Sequence, residues 1–453
     1  MKKIFYVTFL LMLGLSSHSQ AKKWTLEDCV RYALEHNITI KQSELDTQTA
    51  QIGKSSALGS FLPSINASAS HSWNIGLNTN IVTNALENET TQFTSAGLDA
   101  GIDIYKGLQN QNNLRKAKLS VVAAQYQLSK MRDDISLNVA NSYLQILFNI
   151  ENIKVQNEQL AINQKQLERT QELVNAGSIP RGDLLDIKAT VAGDKQRVIN
   201  AENTLLISKL SLAQLLQLED FRNFDIADAD YDAKQSEVMF QTPEAIYQKA
   251  SEQRVEVKIA KTNLEIAEKD VQISRGAYQP TLQGFYRFNT RISYADVPNF
   301  DASGNFIGYG NPAPFFNQFS DNKGHNFGLQ LNVPILNGFS ARNGVLRSKV
   351  ALERSKNALS QSQLDLERNV FQAYTDAKGA YNAYEAAQSA LEAREGAFNY
   401  AKERYAVGMM NAFDFNQSQS LFANAQSEVL RTKYDYIFKT KIVEFYFGIQ
   451  IIK

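Results

Sequence analysis

Two segments of this chain have the same length and the same ends. Gly107 and Gly177 are 70 residues apart, and so are Gly338 and Gly408. Neither 108–176 nor 183–217 contains a proline, and their single glycine is Gly193. A chain that avoids both helix breakers for so long is written to run as helix. At ~1.5 Å of rise per residue, about 65 helical residues make a rod of roughly 100 Å. Globular helices usually stop after ~10–14 residues. Few folds accommodate such rods, and fewer use them twice.

The duplication extends beyond the glycines. At an offset of 217, Thr25, Glu27, Ala33, Glu35, Lys41 and Pro63 fall on Thr242, Glu244, Ala250, Glu252, Lys258 and Pro280. At an offset of 231, Leu98, Ile104, Gly107, Gly177 and Asp183 meet Leu329, Ile335, Gly338, Gly408 and Asp414. The second copy therefore carries a 14-residue longer insert (231 − 217) between Pro280 and Leu329.

Within the rods apolar residues recur every seven positions. Val139, Ile146, Ile153, Leu160, Leu167 and Val174 are answered by Val370, Ala377, Tyr384, Leu391, Phe398 and Tyr405. The spacing resumes at Leu184, Val191, Val198, Leu205 and Leu212, and at Phe415, Phe422, Val429, Tyr436 and Val443. This period marks a seam between long helices with coiled-coil-like packing. The line Asn149, Gln156, Asn163 and Thr170 falls on another stripe and is expected to face water.

Four segments, two per copy, have period two instead. Ile65, Ala67, Ala69, Trp73 and Ile75 alternate with Ser64, Asn66, Ser68, Ser70, Ser72 and Asn74. Leu98 to Ile104, Leu282 to Phe288 and Phe327 to Ile335 alternate likewise. The pattern predicts strands over 64–76, 94–106, 281–294 and 325–337, and suits tilted barrel strands with one face on lipid. A small soluble sheet over a core has the same period. Four strands cannot close a barrel, since single-chain bacterial barrels begin at about eight. Two copies would supply eight strands and three would supply twelve; eight-stranded barrels are filled by their own side chains, so a pore favours three.

Composition and motifs remove other classes. Lys+Arg and Asp+Glu are both 47, so nothing points to nucleic acid. A single Cys and four His leave no disulfide framework and little for metal or acid–base chemistry. Gly304 to Gly310 lacks the Lys-Ser/Thr of a phosphate loop. No enzyme, cofactor or metal site is expected. Residues 1–21 read as a secretory signal, with Lys2 and Lys3 ahead of the apolar run Ile4 to Leu15. Without those two lysines the chain has 45 basic and 47 acidic residues, a formal charge of −2. No later segment is long and apolar enough for a transmembrane helix.

The opening Trp24-Thr25-Leu26-Glu27-Asp28-Cys29-Val30-Arg31-Tyr32-Ala33-Leu34-Glu35-His36-Asn37 carries a resemblance, as do Phe61-Leu62-Pro63-Ser64-Ile65 and Leu336-Asn337-Gly338-Phe339. The turns Val174 to Leu185 and Tyr405 to Phe415 add to it. Duplicated in order, these motifs resemble the TolC-type outer-membrane efflux proteins (outer membrane factors) over the whole mature chain. The resemblance implies a mixed α and β, TolC-like fold with a twofold internal repeat. It implies a homotrimer whose four strands per chain complete a 12-stranded transmembrane β-barrel above a long α-helical periplasmic barrel. It further implies a passive exit duct in the outer membrane, served by a periplasmic adaptor protein and an inner-membrane RND or ABC pump. Drug efflux and type I protein secretion remain alternatives of cargo. A trimeric coiled-coil surface structural protein or adhesin is the alternative of another class.

The expected organisation is a signal at 1–21, a first repeat at 22–217 with its tip turn at 175–183, an acidic equatorial linker at 218–242, and a second repeat at 243–453 with its tip turn at 406–414. The resemblance carries Gly177 and Asp183 over to one turn of the periplasmic tip, where adaptor docking and the gate are expected, and Gly408 and Asp414 to the other. Arg181, Asp186 and Met410 complete the candidate tip residues where this sequence departs from the family: Gln417 stands opposite Asp186, and Met409-Met410 stand where a basic residue would form a gate ion pair, with Arg181 in the first turn instead. Each Gly can end a helix in the left-handed conformation and each Asp can cap the returning one; the carboxylates are thus either caps or gating charges. Asn78 to Gln92 and Ser293 to Asn326, polar and rich in Gly, Asn and Pro, are expected as extracellular surface loops.

Overall fold

The computed structural model describes residues 23–79, 84–227 and 233–450. The signal segment 1–21 and Asp228, Asp230 and Asp232 of the linker lie outside them. Helices α1 (Leu26–His36), α2 (Ile38–Gly59), α3 (Gln109–Asn175) and α4 (Arg181–Leu216) contain 11, 22, 67 and 36 residues. Helices α5 (Pro243–Gln253), α6 (Val255–Gly276), α8 (Ser340–Ala406) and α9 (Ala412–Phe447) contain 11, 22, 67 and 36 again. A short helix, α7 (Phe315–Asp321), interrupts the second run between α6 and α8. Each run opens on a threonine cap. Thr25 accepts from the Asp28 amide at 3.1 Å and Thr242 from the Ala245 amide at 3.3 Å.

The chain divides into two compact units, one comprising Met1–Asp46, Ala124–Ile259 and Leu359–Lys453, the other Thr47–Ala123 and Ala260–Ala358. The first unit is helical. Its larger core gathers Cys29, Val30, Val139, Tyr143, Ile146, Leu212 and Leu216, and a second core gathers Ile246, Ala250, Val257, Val370, Ala377 and Val443. The seven-residue lines thus form much of the packed interior. The polar line behaves otherwise than expected. Asn149, Asn163 and Thr170 are buried, because partners across the helix pair replace water: Asn149 Nδ2 donates to Ser208 Oγ at 2.6 Å, and Asn163 Nδ2 to Asp194 Oδ2 at 2.5 Å.

The linker is also better anchored than an acidic, solvated segment would be. Strands β1 (Lys23–Trp24) and β4 (Asp225–Ile226) pair in parallel. Phe224, Ile226, Val238 and Met239 are buried, and Tyr143 donates to the carbonyls of Trp24 at 3.3 Å and Ala227 at 3.0 Å. Its acids alternate with these apolar anchors, so charge counting hid them.

The second unit holds an antiparallel sheet of β2 (Ser64–Thr79), β3 (Leu86–Lys106), β5 (Thr281–Ser293) and β8 (Gly324–Asn332), ordered β2-β3-β5-β8. The first hairpin is longer than predicted, its ladder reaching Thr79↔Leu86, since Thr90 and Thr91 carry on the pairing through a segment read as loop. The last strand is shorter, ending at Asn332 rather than 337. Pro334 has no N–H for a ladder, so Val333 and Ile335 lie beyond the strand. The second loop is structured: β6 (Val297–Phe300) and β7 (Phe306–Gly310) form a hairpin ahead of α7.

At the strand-to-helix junctions the backbone turns through two left-handed residues, Gly107 with Leu108 and Gly338 with Phe339. A Cβ on Gly107 would lie 2.4 Å from the Gly276 carbonyl oxygen, so glycine is required there on two counts.

Candidate functional site

The sheet has two chemically opposite faces. Register puts Ile65, Ala100, Tyr286 and Phe327 in one row and Ala67, Leu98, Phe288 and His325 in the next, all on one side. Ile102 and Leu329 flank Gly284 on that side, where a side chain would crowd Ile102 and Ile104 at 3.3 Å. Phe327 is 78% exposed and Ile75 83%, so among the described residues much of this apolar face is uncovered. The other face carries Ser64, Asn66, Asp99, Asp103, Gln283, Arg287 and Asn326. There Arg287 and Asp99 pair at 3.4 Å, and Gln283 Nε2 and Lys106 Nζ donate to Asp103 at 2.7 and 2.8 Å. These groups line a polar recess of about 680 Å³.

Among the described residues neither long edge of the sheet, on β2 or on β8, has a strand paired to it. Strand direction alternates across it, so β8 runs antiparallel to β2. A further copy can therefore continue the ladder in the same sense, edge to edge.

The two turns expected at the tip lie in the helical unit. At the end of α3, Gly177 has φ 70, its amide donates to the Val174 carbonyl at 3.0 Å, and the Ser178 amide donates to the Leu173 carbonyl at 2.9 Å. After α8, Gly408 has φ 77, with Gly408 to Tyr405 at 3.2 Å and Met409 to Arg404 at 2.8 Å. Both are Schellman stops, as the sequence predicts for the two glycines.

The carboxylates are not the caps. Pro180 precedes α4 without a side-chain cap, and Asp183 is that helix's third residue. At α9 the cap is Asn411, whose Oδ1 accepts from the Asp414 amide at 2.8 Å, while its Nδ2 donates to Asp414 Oδ2 at 2.9 Å. Asp414 answers the cap rather than supplying it. The sequence carries the signal, an Asn three residues before an Asp. Arg181 and Asp186 are exposed and Asp183 is half-buried. Among the described residues none of the three has an ion-pair partner within the chain.

Met410 turns inward to pack beside Tyr405, Phe398 and Phe415. Its neighbours take the surface: Met409 is 70% exposed and Phe413 74%, with Val407 beside them in sequence. Behind the turn, Tyr405 stacks on Phe415 at 4.6 Å, and Gln166 donates to the Tyr405 hydroxyl. One turn further along α9, Gln419 is fully buried and neither amide atom has a hydrogen-bond partner. Tyr405 and Phe415 were legible only as core positions, and Gln166, Phe413 and Gln419 had no sequence signal that set them apart.

Among the described residues no helix is long and apolar enough to cross a membrane, and no cluster of His, Cys, Asp and Glu suits a metal ion. The family model for outer membrane efflux proteins matches residues 30–217 and again 246–438. The chain belongs to the outer membrane efflux protein family. That is a family of channels rather than of enzymes, and it places the protein in the outer membrane. The chain is 22% identical over 213 residues to TolC of Salmonella enteritidis, covering 47% of this chain and 43% of that protein. It is 22% identical over 291 residues to TolC of Vibrio cholerae, covering 64% of this chain and 63% of that one. The match thus spans less than two thirds of either relative's length. In fold it is similar to the Campylobacter jejuni CmeC outer membrane channel, with a TM-score of 0.79 at 18% identity over 93% of this chain and 85% of that one.

Proposed function

We propose that three copies of this chain form a passive outer-membrane exit duct. The observation that carries this is the two-faced, open-edged sheet. Its apolar side suits hydrocarbon and its polar side suits a water-filled lumen. Pairing β8 of each copy with β2 of the next gives twelve strands and leaves no edge, which is how barrels avoid aggregation. Exposed lines on the helices support assembly too. Ile38, Leu45 and Ile52 along α2, and Leu185, Ile199 and Leu206 along α4, are exposed and spaced by multiples of seven. Such lines need a helical partner. The equal helix lengths in two runs, with a family match on each, support descent from a duplicated unit.

In this reading the helical unit forms a periplasmic tunnel. A periplasmic adaptor and an inner-membrane RND or ABC pump deliver cargo, drugs or proteins, to the tip and supply the energy. The seven predicted residues keep a role there, divided by geometry. Gly177 and Gly408 make the turns, Asp414 holds its cap, and Met410 packs behind. Arg181, Asp183 and Asp186 present charge. Val407, Met409 and Phe413 offer the adaptor an apolar contact.

The test is single-channel conductance of the purified protein in planar bilayers, alongside its mass in detergent. A trimer with discrete, small openings is expected. A species that never inserts into bilayers sinks the barrel.

A further inference from the structure

The connection between β5 and β8, residues 294–323, holds Tyr294, Phe300, Phe306, Tyr309, Phe315, Phe316 and Phe319, seven aromatic residues in thirty, against 10% over the chain. Its charges are few: Asp296, Asp301, Asp321 and Lys323. This is not the polar surface loop that its Gly, Asn and Pro content predicts.

The loop's helix has a defined seat. Past the pair Asn289↔Gly324, β8 no longer accompanies β5, and α7 takes over that edge. Asn322 Nδ2 donates to the Arg291 carbonyl at 2.7 Å; Gln318 donates to the Ser293 carbonyl and accepts from the Ser293 amide, both at 2.9 Å. Thr290 Oγ1 donates to the Phe319 carbonyl at 3.0 Å, and the Phe319 ring lies 6.1 Å from that of Phe288. Thr290 and Ile292 become buried. They share parity with Tyr286 and Phe288, so α7 lies on the apolar side of the sheet, not over the polar recess.

What α7 and the hairpin present outwards is apolar as well. Phe316 is 81% exposed, with Phe315 edge-on to it at 5.4 Å. The hairpin exposes Phe300, Phe306, Ile307 and Tyr309, with ring contacts of 6.1 and 5.2 Å. On the same sheet face stand Trp73, His71 and Tyr294. His71 meets the other two at 4.2 and 5.5 Å, and the Tyr294 hydroxyl is 3.0 Å from Thr94 Oγ1. Amphipathic rings such as these are enriched at membrane–water boundaries.

We propose that residues 297–321 are a lipid-surface anchor, seating α7 and the β6–β7 hairpin in the interfacial layer of the leaflet that surrounds the barrel. Through α7 the anchor continues the sheet's apolar face sideways, as amphipathic elements do when buried ~5–10 Å at the headgroup boundary. Within 297–321 the only charges are the acids Asp301 and Asp321, so apolar insertion, not attraction to anionic headgroups, holds it there. The 14 residues by which the second copy exceeds the first fall in this stretch. This inference rests on the reading that the apolar sheet face meets lipid.

The experiment uses the full chain in phospholipid vesicles with Cys29→Ser as background. Single cysteines F316C and I307C in the loop, and L329C on the sheet face, each carry an environment-sensitive fluorophore. Nitroxide lipids labelled near the headgroup or deep in the acyl chain, and aqueous iodide, serve as quenchers. The expected result is that L329C loses most of its emission to the deep nitroxide, and both loop positions lose most of theirs to the shallow one while resisting iodide. If L329C is quenched by lipid but the loop positions answer to iodide, the anchor is wrong and the barrel reading stands. Loop positions shielded from both quenchers would mean burial against protein, in the pore or on a second copy, and overturn it too. If L329C itself escapes the lipid nitroxides, the lipid face and the anchor fall together.

Discussion

Gln166 on α3 donates a hydrogen bond to the hydroxyl of Tyr405 on α8, and the same tyrosine ring stacks on Phe415 of α9 at 4.6 Å. One side chain thus ties together helices from both runs directly behind the turns. Tyr405→Phe keeps the stack and removes the tie, a loss of about 1 kcal/mol for one neutral hydrogen bond. If the tip opens by parting these helices, the variant should lengthen single-channel openings without changing the open-state conductance. Unchanged dwell times would place the opening motion elsewhere.

The caps make a second, asymmetric prediction. Asn411→Ala deletes the side-chain cap of α9 and should cost about 1 kcal/mol. Asp183→Asn, on a helix that starts at Pro180 with no side-chain cap, should lower thermal stability little. It removes only a carboxylate's interaction with the helix terminus, worth about 0.3–1 kcal/mol near a protein surface. Hydrogen exchange at the start of α9 in the first variant, and of α4 in the second, reads the two effects separately. Equal destabilisation would mean that Asp183 has a partner outside the chain.

The long helices, the turn glycines and the four strands were legible because each rests on a local rule: absence of breakers, a period of seven, a period of two. What escaped the sequence depended on neighbours distant in the chain. Asn163 looks like a solvated residue until Asp194 is placed against it. Phe224 and Ile226 look like parts of an acidic linker until Tyr143 holds the backbone beside them. In the turn after α8, Met409 and Met410 are equivalent in sequence, and only the direction of the turn separates the exposed one from the packed one. The loop over 294–323 misled because Gly, Asn and Pro signal turns correctly, yet say nothing about where the intervening aromatics settle.

Glycines at the two ends of α3 should respond unequally to alanine. Gly177→Ala meets open space and faces only the left-handed backbone, a penalty of about 1–2 kcal/mol. Gly107→Ala adds a Cβ 2.4 Å from the Gly276 carbonyl oxygen, backbone against backbone, with no side chain able to yield. The first variant should fold with a lowered melting temperature, and the second should fail to give folded protein. A Gly107→Ala protein with normal stability would mean that the approach to Gly276 is not rigid.

Assembly is tested by the exposed line Ile38, Leu45 and Ile52. In an isolated chain these residues face water, so replacing all three by Asn should not destabilise the helix packing of a monomer. In an assembly, burying each such side chain contributes about 1.5–3 kcal/mol, and every copy would lose three of them at once. The triple variant should therefore keep its helical circular dichroism while its mass in detergent falls from that of a trimer towards that of a single chain. Ile38→Val, which keeps an apolar side chain at the seam, should retain the assembly. Loss of helix signal in the triple variant would show that the line packs within the chain, and the seam between copies would then have to run along Leu185, Ile199 and Leu206 instead.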